Sequence, residues 1–292
     1  MNDFWTNNGD KILVGIITAI VVLFLSEPLK ALFKKMGNWI ETGFQSLGFG
    51  FQKRYYHALI EGHKWLKLIG IYNPADLHAP RLQEVYISLR LNTAKDSPNV
   101  VWNHIFNDNE KHMVILGQPG AGKSTLLDYL TLIFTGFIKH PLSAQLGNPL
   151  PVFVRLRDLG KTDTKQSLLG LIESSDNIGL KNVPVGYFER HLKSGNCVVL
   201  LDGLDEVLDE NYHKQVVNEI RTFANEYPDN WLVVTCRVAG WHEQLPNFRQ
   251  YTVEEFDRDD VRQFIGAWYR EVTRTEAINR LGASPKLDLE VQ

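Results

Sequence analysis

Residues 112–134 read HMVILGQPGAGKSTLLDYLTLIF. The first five letters form a short apolar run typical of a buried strand, and the last nine are typical of a helix. Between them, residues 117–125 contain the phosphate-binding pattern G-x-x-x-x-G-K-[ST], which ends at Ser124, in the strand, loop and helix order that it requires. The stretch therefore predicts an α/β fold built around a phosphate-binding loop.

Each residue type in this loop has a physical task. Glycine permits the curled backbone that turns several N–H groups inward, and the following helix adds partial positive charge at its N-terminus. Lys123 is expected to reach the β- and γ-phosphates, Ser124 to coordinate Mg²⁺, and Thr125 to contact the α-phosphate. The predicted nucleotide-binding residues are Gly117, Gln118, Pro119, Gly120, Ala121, Gly122, Lys123, Ser124 and Thr125.

A second apolar run, CVVLL at residues 197–201, leads into the acidic turn DGLDE at 202–206. We expect Asp202, at the carboxyl end of a strand, to hold Mg²⁺ together with Ser124. Asp205 and Glu206 are predicted catalytic residues that lie on the γ-phosphate side and polarise an attacking water. Three carboxylates within five residues would be unfavourable in a core unless a cation sits among them.

A third apolar run, WLVVT at residues 231–235, is followed by Cys236 and Arg237. An arginine at a strand tip beside a phosphate site can sense the γ-phosphate or stabilise charge during its transfer, so Arg237 is a third catalytic candidate. Thr235 at the same tip can hold the water. The alternative for Arg237 is an ordinary surface ion pair.

Strand-like and helix-like patterns alternate around these motifs. Further strands are predicted at 151–157 and 250–253, and helices at 186–193, 210–227 and 257–270, the last capped by Asp257. Five strands alternating with helices predict a five-stranded parallel sheet covered on both faces. The site should then lie at the carboxyl edge of the sheet.

The N-terminus carries a hydrophobic segment, fourteen uncharged residues from Ile12 to Leu25. As a helix it would span about 21 Å, which is short of a bilayer core of roughly 30 Å. A cleaved signal peptide and a buried core helix are alternatives, but Lys30, Lys34 and Lys35 favour a single-pass membrane anchor with a cytoplasmic C-terminal side.

The rest of the chain divides by composition. Residues 39–70 mix aromatic and basic residues, which fits amphipathic helices on anionic lipid or a helical connector. The predicted organisation is an anchor with its basic flank at 1–35, a helical connector at 36–100, the nucleotide domain at 101–271 and a partial helical lid or tail at 272–292. A net charge of −3 gives no reason to expect specific nucleic-acid binding, and two cysteines exclude a disulfide framework.

Taken together, the motifs resemble the NACHT family of STAND-class P-loop NTPases, which belong to the ASCE type and include bacterial members. The resemblance rests on LQEVYISLRL, GQPGAGKSTLL, PVFVRLRDL, DGLDE, TCR and FDRDDVRQFIGAWY, between residues 82 and 269. Gly203 beside Asp202, with the distal Asp205 and Glu206, looks like the feature that separates this family from many related ATPases. The resemblance implies an ATP/ADP-controlled switch that forms a homo-oligomer in its ATP state and turns on an attached effector, as in antiphage defence.

The sequence also departs from that family. A helical lid, a winged-helix domain and a repeat sensor normally follow, whereas only about twenty residues follow Tyr269. We therefore expect an unknown partner or sensor to supply the trigger, or the chain to be a minimal member, with the hydrophobic segment in the effector position. The expected function is a membrane-anchored, slow ATPase switch that uses ATP and Mg²⁺ and acts in defence signalling.

Two alternatives stay open. One is an assembly module that binds ATP without useful hydrolysis and acts through oligomer contacts. The other is a membrane NTPase of the KAP type, which a second transmembrane segment within the nucleotide domain would favour, and the sequence shows none. ATP is preferred over GTP because no guanine-reading N/T-K-x-D motif follows the loop.

Overall fold

The computed structural model describes residues 49–66, 79–93, 100–107, 110–159, 167–174, 177, 179–207 and 209–280. The predicted anchor, Ile12 to Leu25, and its basic flank lie outside these residues. Among the helices in the described ranges, none has both the length and the apolar character to cross a bilayer. The chain divides into two compact units, Met1–Gln52 and Lys53–Gln292, and the sheet belongs to the second.

The sheet has seven strands in the described residues, in the spatial order β2-β1-β7-β3-β6-β5-β4. Five of them, β3 to β7, are parallel neighbours. Their strand interiors are buried, as expected of a parallel sheet covered on both faces. The strands are β1 Arg90–Asn92, β2 Val100–Val101, β3 His112–Gly117, β4 Leu150–Arg155, β5 Cys197–Asp202, β6 Trp231–Arg237 and β7 Arg249–Val253.

The prediction of a five-stranded, wholly parallel sheet is therefore wrong in strand number and in direction. Strand β1 pairs antiparallel with β7, and β2 pairs antiparallel with β1. These two strands are three and two residues long, too short to produce a readable alternation of apolar and polar residues. Strand β1 lies within the range 36–100, which was predicted as a helical connector, and β2 straddles its end. Strand β1 covers what would otherwise be the bare edge of β7.

The helices predicted at 186–193 and 210–227 are found to within one residue at each end, whereas the helix predicted at 257–270 extends to Arg280. Strand two was predicted to run to residue 157, but β4 ends at Arg155 and a short helix follows, since Leu156 and Leu159 are both buried at helical spacing. The helices of the described residues are α1 Phe49–His63, α2 Leu82–Val85, α3 Lys123–Phe134, α4 Pro141–Gln145, α5 Leu156–Leu159, α6 Leu168–Glu173, α7 Tyr187–Lys193, α8 Glu210–Glu226 and α9 Arg258–Arg280.

The two long C-terminal helices begin at aspartate caps. The side chain of Asp209 accepts hydrogen bonds from two backbone N–H groups in the first turn of α8, and Asp257 does the same for α9. On α8 the predicted apolar face is buried. Helix α9 continues to Arg280 and so passes through the predicted boundary at residue 271. The domain boundaries themselves stay predictions.

Candidate functional site

The phosphate-binding loop connects the end of β3 to the start of α3. Gly120 and Gly122 have φ values of +79° and +86°, which side chains other than glycine rarely adopt. No side chain caps the first turn of α3, which begins at Lys123, so its N–H groups are available to another acceptor. Gln118, Pro119 and Gly120 are exposed. A helix N-terminus behind an exposed glycine loop is an arrangement suited to binding phosphate.

The side chain of Lys123 folds over this loop. Its Nζ donates hydrogen bonds to the carbonyl oxygens of Gly117 (2.8 Å) and Gln118 (3.0 Å). Partial burial lowers the pKa of Lys123, and the negative charge of Asp205 opposes that shift. The ammonium is thus held in the loop by neutral acceptors. A charged phosphate oxygen would be a stronger partner than either carbonyl.

Asp202 joins the loop to the neighbouring strands. Its Oδ1 accepts a hydrogen bond from Ser124 Oγ at 3.0 Å and another from Thr235 Oγ1 at 2.7 Å. The hydroxyl of Thr235 in turn accepts a hydrogen bond from the backbone N–H of Gly203. The two predicted metal ligands are therefore in direct contact. Thr235 orients the carboxylate, and its expected role in holding a water stays a prediction.

The surroundings of Asp202 favour the neutral form of its side chain. Burial raises the pKa of this side chain, the hydrogen bonds from Thr235 and Ser124 lower it, and the negative charges of Asp128 and Glu206 raise it further. The net shift is upward. A cation beside Asp202 would favour its ionised form, which fits a metal ligand better than a structural carboxylate.

The predicted catalytic residues Asp205 and Arg237 bind each other. Asp205 Oδ1 accepts a hydrogen bond from the backbone N–H of Arg237 at 2.8 Å, and Arg237 Nε lies 2.9 Å from Asp205 Oδ2. Asp205 is nearly buried, whereas half of the Arg237 side chain is exposed. The pair ties the turn after β5 to the end of β6. Asp205 therefore holds Arg237 at the edge of the site.

Glu206 has a different arginine partner, Arg157. Arg157 Nη1 lies 3.2 Å from Glu206 Oε2. Arg157 is not among the predicted site residues, and it lies in the stretch predicted as strand two. A signal was available, because an arginine just beyond a parallel strand lies at the same sheet edge as the acidic turn beyond the next strand.

A further pair, which is not among the predicted site residues, involves the helix that follows the loop. His63 Nδ1, at the end of α1, is hydrogen-bonded to Asp128 Oδ1 on α3. His63 is buried and its ring lies against that of Phe153 on β4, with centroids 4.4 Å apart. Asp128 is one helical turn beyond Ser124. The pair therefore connects α1 to the helix that carries the predicted metal ligand.

The residues that fit a nucleotide-bound metal are Ser124 and Asp202. Two of the three carboxylates in the acidic turn have arginine partners, which leaves the Asp202 carboxylate and the Ser124 hydroxyl as the hard oxygen pair that Mg²⁺ prefers. Within the described ranges no group of three His, Cys, Asp or Glu side chains could enclose a metal. Mg²⁺ at nucleotide sites needs only one or two protein ligands, because phosphates and water supply the others.

Comparison with known proteins gives one informative result. The family model described as NACHT domain matches residues 111–272, more than half of the chain. The match begins just before β3 and ends within α9, so it includes the phosphate-binding loop, the acidic turn and Arg237. The search of curated proteins finds no match.

Proposed function

The chain belongs to the NACHT family, and from that premise we propose that it is an ATP-controlled switch whose loop and acidic turn bind one Mg²⁺-bound triphosphate. A NACHT domain is a nucleotide-dependent NTPase and oligomerisation module. The single observation that carries the ATP and Mg²⁺ proposal is the 3.0 Å hydrogen bond from Ser124 to Asp202. It brings a hydroxyl from the phosphate loop and a buried carboxylate from β5 to one point.

Each side chain then has a defined task. Lys123 exchanges its carbonyl partners for β- and γ-phosphate oxygens, and the N–H groups at the start of α3 bind the remaining phosphate charge. The chemistry that Mg²⁺ supplies when bound is neutralisation of charge on the phosphates. Glu206 accepts a proton from the attacking water, and Arg237, held by Asp205, stabilises charge on the transferred group.

A second candidate function is an assembly module that binds ATP without useful turnover. The observation that favours it is that both distal carboxylates are engaged, Asp205 by Arg237 and Glu206 by Arg157. Both pairs tie the ends of neighbouring strands together, which is a structural role that requires no turnover. Single-turnover release of γ-phosphate separates the two functions. Release that is slowed by Glu206→Gln supports the enzyme, and no release above background supports the assembly module.

Nucleotide binding itself is tested by Lys123→Ala in calorimetry with Mg²⁺ and ATP. We expect no detectable binding, because the variant removes the only ammonium in the loop motif. The matched control is Lys111→Ala. Lys111 lies just before the opposite end of β3, where its Nζ contacts the carbonyl of Asp229. Equal affinity in the Lys123 variant and the wild type would refute the site.

We also propose that residues 12–25 anchor the chain in a membrane, that the ATP state is a homo-oligomer, and that a partner or sensor triggers a defence response. Support for the anchor is the uncharged segment followed by Lys30, Lys34 and Lys35. The full chain should sediment with membranes and a chain lacking residues 1–35 should not. Recovery of the full chain in the detergent-free supernatant would overturn the anchor, and ATP-independent sizing would overturn the oligomer switch.

A further inference from the structure

The side chain of Glu206 lies against Gly203 of its own turn and pairs with Arg157 of another element. On one side, its carboxylate is paired with Arg157 Nη1 at 3.2 Å. On the other side, its Cγ and Cδ lie over Gly203, where a Cβ atom would come within 3.0 Å of both. Gly203 has a φ of +77°, which lets the chain turn directly after Asp202. Glu206 therefore occupies space that the absence of a side chain at Gly203 leaves open, and its carboxylate is oriented toward Arg157.

Arg157 is itself placed with little freedom. It lies in the four-residue helix α5 between Leu156, which is fully buried, and Leu159, which is nearly so. These two anchors fix the backbone from which the guanidinium reaches the acidic turn. The pair joins elements that follow adjacent strands, β4 and β5, and it crosses 49 positions of sequence.

The pair contributes little to stability. The side chains of Arg157 and Glu206 are 48% and 36% exposed, and exposed ion pairs contribute little because water screens them. Only one of the guanidinium nitrogens of Arg157 contacts Glu206 among the described residues. The pair therefore stabilises the fold little, and its clearer effect is to orient the carboxylate of Glu206 at the edge of the site.

We propose that Arg157 is a positioning residue for hydrolysis, which holds the carboxylate of Glu206 in the orientation that accepts the proton of the attacking water. This inference rests on the proposed function, because it requires Glu206 to act as the base. Arg157 acts through Glu206 and leaves the binding of ATP to the phosphate loop. Its loss should therefore lower kcat while KM and the ATP dissociation constant stay unchanged.

The experiment is a double-mutant cycle on kcat, using Arg157→Gln, Glu206→Gln and the two together in the full chain. We expect Arg157→Gln to reduce kcat by about tenfold, since misplaced catalytic groups lose rate steeply with distance. Because the arginine acts through the glutamate, it should cause no further loss in the Glu206→Gln background. Arg157→Lys should recover part of the rate by restoring the charge. The control is Arg262→Gln, which breaks a similar exposed pair, Arg262 Nη1 to Asp259 at 3.1 Å on α9.

The outcomes separate this inference from the function on which it rests. If Glu206→Gln lowers kcat and Arg157→Gln does not, the positioning role is wrong and the proposed function stands. If the two changes lower kcat additively, Arg157 acts independently of Glu206 and the inference is overturned. If the wild-type protein releases no phosphate, or Glu206→Gln has no effect, the proposed hydrolytic function fails and the inference fails with it.

Discussion

Replacing Gly203 by alanine adds a single carbon atom, Cβ, at the centre of the candidate site. Gly203 follows Asp202 and has a φ of +77°. The added Cβ would lie 3.0 Å from Cγ and Cδ of Glu206 and 3.3 Å from its Oε2. Distances below 3.4 Å are tighter than ordinary van der Waals contact, so the glutamate side chain has to move. A shift of the carboxylate away from Gly203 changes its contact with Arg157, which is 3.2 Å long in the wild type.

Two separate costs follow from these numbers. A left-handed backbone costs a residue with a Cβ about 1–2 kcal/mol, which corresponds to a fall in Tm of roughly 2–8 °C for a domain of this size. The matched control is Gly136→Ala, just beyond α3. Gly136 has the same φ of +77°, and a Cβ there would meet no atom within 4 Å. Both variants should lose similar stability, and only Gly203→Ala should displace Glu206.

Thermal unfolding, ATP binding and single-turnover phosphate release measure the two costs independently. We expect both variants to bind ATP with wild-type affinity and to unfold a few degrees early. Phosphate release should fall at least about tenfold in Gly203→Ala and stay unchanged in Gly136→Ala. Equal phosphate release in the two variants would refute the reasoning, because the contact with Glu206 would then have no functional consequence.

Three further changes test the electrostatics and packing around the site. Because burial raises the pKa of Asp202 in the folded state, the nucleotide-free protein should lose stability as pH rises from the ordinary carboxyl pKa through that raised pKa. Asp202→Asn should remove this loss and stabilise the protein by about 0.5–2 kcal/mol at neutral pH in thermal melts. The same change should eliminate Mg²⁺-dependent ATP binding. A destabilised Asp202→Asn protein would contradict this. His63→Ala leaves a nearly buried Asp128 carboxylate without its partner, so the free energy of unfolding in urea should fall by about 3–5 kcal/mol. Adding Asp128→Asn should recover much of this loss. Additive losses would show that the two residues are not coupled. The buried amide of Asn230 accepts a hydrogen bond from the backbone N–H of Cys197 and donates to two carbonyl oxygens. Asn230→Ala should lower the free energy of unfolding in urea by about 1–3 kcal/mol for each group left unpaired. A change below about 0.5 kcal/mol would show that these hydrogen bonds do not stabilise the fold.

The parallel part of the sheet and the phosphate-binding loop could be predicted because their signals are local. Continuous apolar runs indicate buried parallel strands, and the glycine pattern specifies a backbone conformation within nine residues. Asp202 could be placed beside Ser124 for a related reason. Both follow parallel strands, and the carboxyl ends of parallel strands meet at one edge of the sheet.

The sheet edge at which Arg157 lies could be predicted, but the individual side chains that pair could not. Arg157 and Glu206 are 49 positions apart, and His63 and Asp128 are 65 apart. A surface arginine and a solvent-facing glutamate have the same local pattern whether or not they meet. Their contact depends on where α5 packs after β4 and on the turn that Gly203 permits.

By itself, then, the sequence determined the chemistry of the site: a loop for phosphate, a hydroxyl and a carboxylate for a metal, and a turn rich in acid. Tertiary structure alone decided that β1 and β2 complete the sheet, that Thr235 orients Asp202, and which arginine each distal carboxylate has. The physical reason is that backbone conformation is encoded over a few neighbouring residues. The pairing of distant side chains is decided by strand order and packing, which no local pattern contains.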